Sequence, residues 1–146
     1  MIKIEISDNK FKEEIEKLLR RCTDRRALMK QIAGIMHHAV EENFAEQGRP
    51  RWQPLSAKTI KSRQKKKYWP GAILQMRGEL AASISQSSDN NSAVVGTNKI
   101  YAAIHQFSGR AGRGHKAQIP ARPFLKLTDD DLEEIKKAVI EYLQGV

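Results

Sequence analysis

The stretch from residue 24 to residue 48 constrains this chain most. Leu28, Ile32, Ile35, Met36, Val40 and Phe44 recur at helical spacing, with polar residues between them, and the pattern predicts one amphipathic helix of about six turns. An apolar stripe that long must be covered, so the fold has to be assembled around this helix. Thr23 and Asp24 offer a cap at its start. Gly48, Pro50 and Pro54 punctuate the sequence beyond it and end it.

The remaining pattern supplies what covers the stripe. Ile2, Ile4 and Ile6 alternate with Lys3 and Glu5, the period of a half-buried strand. Ser7 or Asp8 caps a helix whose apolar positions are Phe11, Ile15, Leu18, Leu19 and Cys22, which gives the only cysteine a packing role and excludes an internal disulfide. Ser56 caps a basic helix over about 57–67. Tyr68, Trp69, Pro70 and Gly71 read as a turn. Leu80 to Ile84 closes a short helix, and a hairpin spans 83–96 around Asp89, Asn90 and Asn91. Ile100, Ala103, Ile104 and Phe107 mark another helix, with Phe107 in the core. Residues 108–116, SGRAGRGHK, have little to pack and predict a mobile loop. Pro120 and Pro123 force an extended passage. Thr128 to Asp131 opens a closing helix on a capping box, and Leu132, Ile135, Val139, Tyr142 and Leu143 form its buried side.

These elements predict a single α+β domain over residues 1–146. The long amphipathic helix and the C-terminal helix pack on a small, mostly antiparallel sheet built from 1–6, 83–96 and part of 117–127.

Charge is distributed unevenly. Residues 1–48 carry nine basic and nine acidic side chains, residues 49–127 fifteen and two, and residues 128–146 two and six. A basic excess confined to the middle implies a face that meets nucleic acid or an acidic protein surface. Lys58, Lys61, Arg63, Lys65, Lys66 and Lys67 share the short helix without an intervening acid, so they gain no intrahelical ion pairs and await an external anion.

Familiar site chemistries are not assembled by this pattern. His37 and His38 are adjacent on a helix and face different ways, and His105 and His115 have no ligands at metal spacing. Neither a metal nor another cofactor is expected. The serines from Ser83 to Ser88 lack a nucleophile elbow, and the Gly109–Lys116 stretch lacks the order of a phosphate loop. No window has the apolar length of a membrane span or a secretory signal, which predicts a protein of the cytoplasm.

Four segments in order carry a resemblance. They are ENFAEQGRPRWQPLSAKTIKSR from Glu42, ILQMRGELAASI from Ile73, VGTNKIYAAIHQFSG from Val95 and IPARPFLKL from Ile119. Together they resemble the phage virion morphogenesis family, the tail completion proteins of Mu-like and related phages. Ser108 and Lys126 depart from glycines common in that family. The resemblance implies a structural role without catalytic residues: finishing the tail so that it joins a filled head. Phage tail and neck proteins are the implied partners, a homo-oligomeric ring the implied form, and the host bacterial cytoplasm and then the virion the implied location.

Beside that stands a residue-level reading. Trp52 is either an interface anchor or a seal on the core edge. His105 and Gln106 bond the backbone of the following segment. In PARPFL, Phe124 anchors, Arg122 reaches for a carboxylate, and the extended backbone is an edge for a neighbouring subunit. The candidate interface or anion contacts are therefore Trp52, Lys58, Lys61, Arg63, Lys65, Lys66, Lys67, Arg110, Arg113, Lys116, Arg122 and Phe124. The competing function is a non-sequence-specific nucleic-acid-binding module using residues 58–67 and 110–116. It lacks a helix-turn-helix, zinc finger or stacked-aromatic platform.

Overall fold

The computed structural model describes residues 2–3, 6–20 and 23–145. Ile4 and Cys22, assigned by spacing to a strand and to a helical stripe, lie outside the described residues. In chain order, β1 (Ile2–Lys3) precedes α1 (Asn9–Leu19) and the long α2 (Arg26–Ala45). Then come α3 (Ala57–Lys65), α4 (Glu79–Ala82), β2 (Ser85–Ser88) and β3 (Ala93–Thr97). α5 (Ala102–Phe107) leads into β4 (Gly109–Ala111), a 3-10 turn (Arg113–His115) and β5 (Ala117–Ile119), and α6 (Asp129–Gln144) closes the chain. The architecture is α+β.

The stripe on α2 is the core, and it is wider than its large residues suggested. Met29, Ala33, Ala39 and Asn43 are buried beside Leu28, Ile32, Met36, Val40 and Phe44, because α2 is covered on two sides, by α6 and by the β2–β3 hairpin. β3 is the central strand of an antiparallel sheet ordered β1-β3-β2. Ser85 pairs with Gly96 and Ser88 with Ala93, while Ile2 pairs with Thr97. Val95 and Thr97 face the core, and the side chains of β2 are exposed.

Helix starts are fixed in two different ways. Asp8 accepts from the Phe11 amide at 3.0 Å, and Thr128 with Asp131 forms the expected reciprocal capping box of α6. At the start of α2 the cap comes from Asp24 and not Thr23: Asp24 Oδ1 accepts the Arg26 amide at 3.3 Å. The Arg25 amide donates to Asn90 Oδ1 at 2.6 Å and Arg25 Nη2 to Asn91 Oδ1 at 2.8 Å, so the β2–β3 turn holds the helix end from far away in sequence. That turn is shaped by Asp89 Oδ1, which accepts the amides of Asn91 and Ser92 at 2.7 Å each.

Three further expectations are corrected. Residues 117–127 do not join the main sheet: Ala117–Ile119 pairs only with Gly109–Ala111, in a separate two-stranded arm. The 108–116 stretch accordingly contains strand and a 3-10 turn, its glycines at 112 and 114 taking the positive φ values that the reversal requires. Phe107 is 67% exposed instead of in the core, and Ile100 is almost fully exposed. The reason is helix phase. α5 begins at Ala102, which is completely buried. The positions three and four residues on, His105 and Gln106, share its face, and Phe107 at five points away.

Candidate functional site: a groove floored by arginines

The segment after α2 builds the site's foundation. Gly48 has φ +102°, and a Cβ there would lie 2.6 Å from Trp52 Cδ1, so glycine alone lets the chain fold back over the indole. Trp52 is buried, packs edge-on against Phe44 with ring centroids 5.9 Å apart, and donates from Nε1 to the Pro123 carbonyl at 2.9 Å. Phe124 is fully buried, its ring centroid 5.4 Å from that of Phe44. In this fold Trp52 and Phe124 are core residues, not a surface available to a neighbour.

Beside them the extended 122–126 segment is clasped from both sides. Asn43 Nδ2 donates to the carbonyls of Phe124 and Lys126 at 2.7 and 2.9 Å. Gln106 Oε1 accepts the amides of Phe124 and Leu125, and its Nε2 donates to the Leu125 carbonyl. The Arg122 amide donates to the His105 carbonyl at 2.7 Å. This corrects the expectation of an open edge, since the backbone groups that a neighbouring strand would use are already bonded.

Arg49 locks the other end of the clasp. Its Nε donates to Asn43 Oδ1 at 2.7 Å, and its Nη2 to Asp131 Oδ2 and the Ala39 carbonyl at 2.9 Å each. Glu42 Oε2 lies 3.1 Å from Nη1. The ion pair with Asp131 is largely buried, the two side chains being 14% and 8% exposed.

On the far side of the clasp lies a groove of about 550 Å³. One wall is Ser56 and Thr59 at the start of α3; another is Gln118 and Ile119 of the arm with Pro120 after it; Leu74, Met76 and Leu80 close it. Arg63 and Arg122 sit in its floor at 7% and 5% exposure. Arg63 donates from Nη1 to the Ala72 carbonyl at 2.8 Å. Arg122 donates from Nε and Nη2 to the carbonyls of Gln53 and Pro54 at 2.8 and 3.0 Å. Arg122 thus meets backbone oxygen where a carboxylate was expected. Burial lowers the pKa of both guanidiniums, and the Arg63 charge adds to the effect at Arg122.

His105 lines the same groove, and its Nδ1 is buried without a hydrogen-bond partner among the described residues. Burial, then the Arg122 charge, lowers the pKa of its imidazole.

The other basic candidates surround this floor without lining it. Lys58, Lys61, Lys65, Lys66 and Lys67 are exposed on and just after α3, and Arg110, Arg113 and Lys116 are exposed on the arm. The structure therefore brings Arg63 and Arg122 from distant parts of the sequence together in the groove, adds the exposed Arg77 to its lining, and leaves the other eight candidate cations exposed outside it. The apolar lining and the Arg49 clasp escaped the sequence reading. Arg49 stands in a Gly-Arg-Pro turn with no local cue to a buried role. Among the described residues no group of three or more His, Cys, Asp or Glu side chains could hold a metal ion, and no helix is long and apolar enough to cross a membrane.

What such a groove can do chemically is hold an anionic group with apolar neighbours. Residues 6–144 match the phage virion morphogenesis family, and the chain belongs to it, a phage protein of virion assembly. It is 45% identical over 145 residues to the Mu-like prophage FluMu G protein 2 of Haemophilus influenzae, covering 99% of this chain and 97% of that one. It is 34% identical over 119 residues to the putative capsid assembly protein G of Escherichia phage Mu, covering 78% and 76% of the two chains. The FluMu G protein 1 of the same Haemophilus strain is 32% identical over 125 residues, 82% of this chain and 80% of its own. No solved structure matches.

Proposed function

We propose that this protein completes the phage tail and readies it for joining to the filled head, working as one structural domain through protein contacts and without catalysis. In this reading it assembles in the host bacterial cytoplasm, enters the virion at the tail or neck, and forms a homo-oligomeric ring that meets tail and neck proteins. The observation that carries the reading is the groove between α3 and the arm, open to a partner and edged by cations that have no acids beside them. A relative named for capsid assembly is in keeping with a protein that acts where head and tail meet. Ring symmetry suits a part attached to a tubular tail. Negative-stain microscopy of particles made without the protein tests it. Separate heads and tails are expected; normal virions overturn the reading.

The exposed lysines favour one second reading, non-specific contact with DNA. Binding to a labelled random duplex would then fall steeply with salt, because each phosphate neutralised releases counterions. Fluorescence anisotropy at low and moderate salt decides it, and no binding at low salt removes DNA from the account.

A further inference from the structure

The groove differs from the lysine-rich surface around it in depth and in lining. Arg63 and Arg122 are more than nine-tenths buried, yet neither is paired with a carboxylate among the described residues. Among the described residues their hydrogen bonds all go to backbone carbonyls, which engage one N–H donor of Arg63 and two of Arg122 and leave the larger part of each guanidinium for a ligand. Holding two guanidiniums this close, in a site that burial desolvates, is unfavourable until an anion arrives. The buried, unpartnered Nδ1 of His105 adds a third polar group awaiting a ligand. Among the described residues Glu79 is the one acid in the lining, and no ion pair joins it to Arg63, to Arg122 or to the exposed Arg77 that also lines the groove.

Depth and lining decide what kind of anion fits. A nucleic-acid backbone meets a protein through long exposed cations, which here are the lysines of α3 and the arginines of the arm. The recessed arginines instead lie in a mixed lining, where Pro54, Leu55, Leu74, Met76, Ile119 and Pro120 supply apolar surface that a phosphodiester chain has little to match. A protein segment supplies both parts, since a guanidinium fork matches a carboxylate and the flanking side chains fill the apolar walls.

We infer that this groove is the docking site for a segment of another virion protein that presents an Asp or Glu carboxylate to Arg63 and Arg122, with apolar residues on either side. The inference rests on the assembly reading above and names the partner chemistry that reading leaves open.

The test uses the full chain and two short capped peptides, one alternating leucine with glutamate and one alternating leucine with glutamine. Arginine Nε–H and histidine ring signals are followed by NMR, and affinity by anisotropy of the labelled peptides. The glutamate peptide is expected to bind saturably, to shift the Arg63, Arg122 and His105 signals, and to bind at least about tenfold tighter than the glutamine peptide, the worth of one hydrogen bond between charged groups. Arg63→Gln should weaken it by about the same factor. Should Arg63→Gln fail to fold, Met76→Glu on the partly exposed lip leaves both arginines in place and should block the groove with a carboxylate of its own. Equal binding of the two peptides, or no shift of the arginine signals, overturns the inference, as does a random DNA duplex that moves those signals. Failure here with heads and tails still unjoined in the deletion strain removes the groove and keeps the assembly role. Normal virions in that strain remove the assembly role itself.

Discussion

The clasp and the groove are both built around arginine, yet they treat it in opposite ways. Arg49 is surrounded: Asp131, Glu42, Asn43 and the Ala39 carbonyl take its donors, and the pair it forms is inside the fold. Arg63 and Arg122 are just as recessed but meet only backbone carbonyls and face a groove. A buried cation with its counter-charge holds elements together, whereas a buried cation without one stores a preference for a ligand. The first arrangement belongs to the fold, and the second is the one we propose for contact with a partner.

The sharpest way to break this contrast is at Arg49. Arg49→Ala leaves Asp131 buried without its partner and should cost about 3–5 kcal/mol in urea unfolding. A loss under about 1 kcal/mol would mean that Asp131 relaxes into solvent and that the two regions do not differ in kind. Asn43→Ala strips the donors from the Phe124 and Lys126 carbonyls and the acceptor from Arg49 Nε, and should cost about 1–3 kcal/mol by the same measurement.

A gentler probe is pH. The His105 pKa is lowered in the fold by burial and by Arg122, so between its ordinary value of 6.5 and its folded value the unfolded chain binds a proton that the folded chain does not. Stability attributable to this group is therefore intact at neutral pH and is lost as pH falls below 6.5. Urea melts at neutral and mildly acidic pH should show a smaller acid loss in His105→Asn than in the wild type. An identical loss in both assigns the acid sensitivity to other groups.

The arm and the lysines should matter least to the fold. A two-stranded hairpin is marginal by itself, so trypsin should cut at Arg110 and Arg113 among the first bonds in the free protein. Resistance there while other sites are cut would make the arm as firmly held as the clasp. Replacing Lys65, Lys66 and Lys67 with glutamine should change stability by no more than about 0.5 kcal/mol per site, as all three are exposed. A larger loss would draw the basic face into the folding unit.

The sequence by itself determined the elements whose cause is local. α2 is read from its stripe, α6 from Thr128 and Asp131, and the β2–β3 hairpin from Asp89 and its neighbours, because spacing, caps and turn residues act within a few positions of one another. It also located the basic middle and marked Arg63 and Arg122 as functional candidates. Tertiary structure decided whatever depended on distant partners. Asn90 anchors the residue before a helix that begins at Arg26, and Gln106 closes the edge that two prolines left open in the sequence. Phe107 is turned outward because Ala102 sets the phase of α5. Trp52 reads equally well from sequence as an interface anchor or a core seal, and Phe124 as an anchor and interface candidate, and the Phe44 ring and the Pro123 carbonyl place both inside. The same holds for charge: sequence counts cations, but burial and the choice of partner, which make Arg49 a lock and Arg63 with Arg122 the floor of a groove, arise only when segments far apart in the chain are packed together.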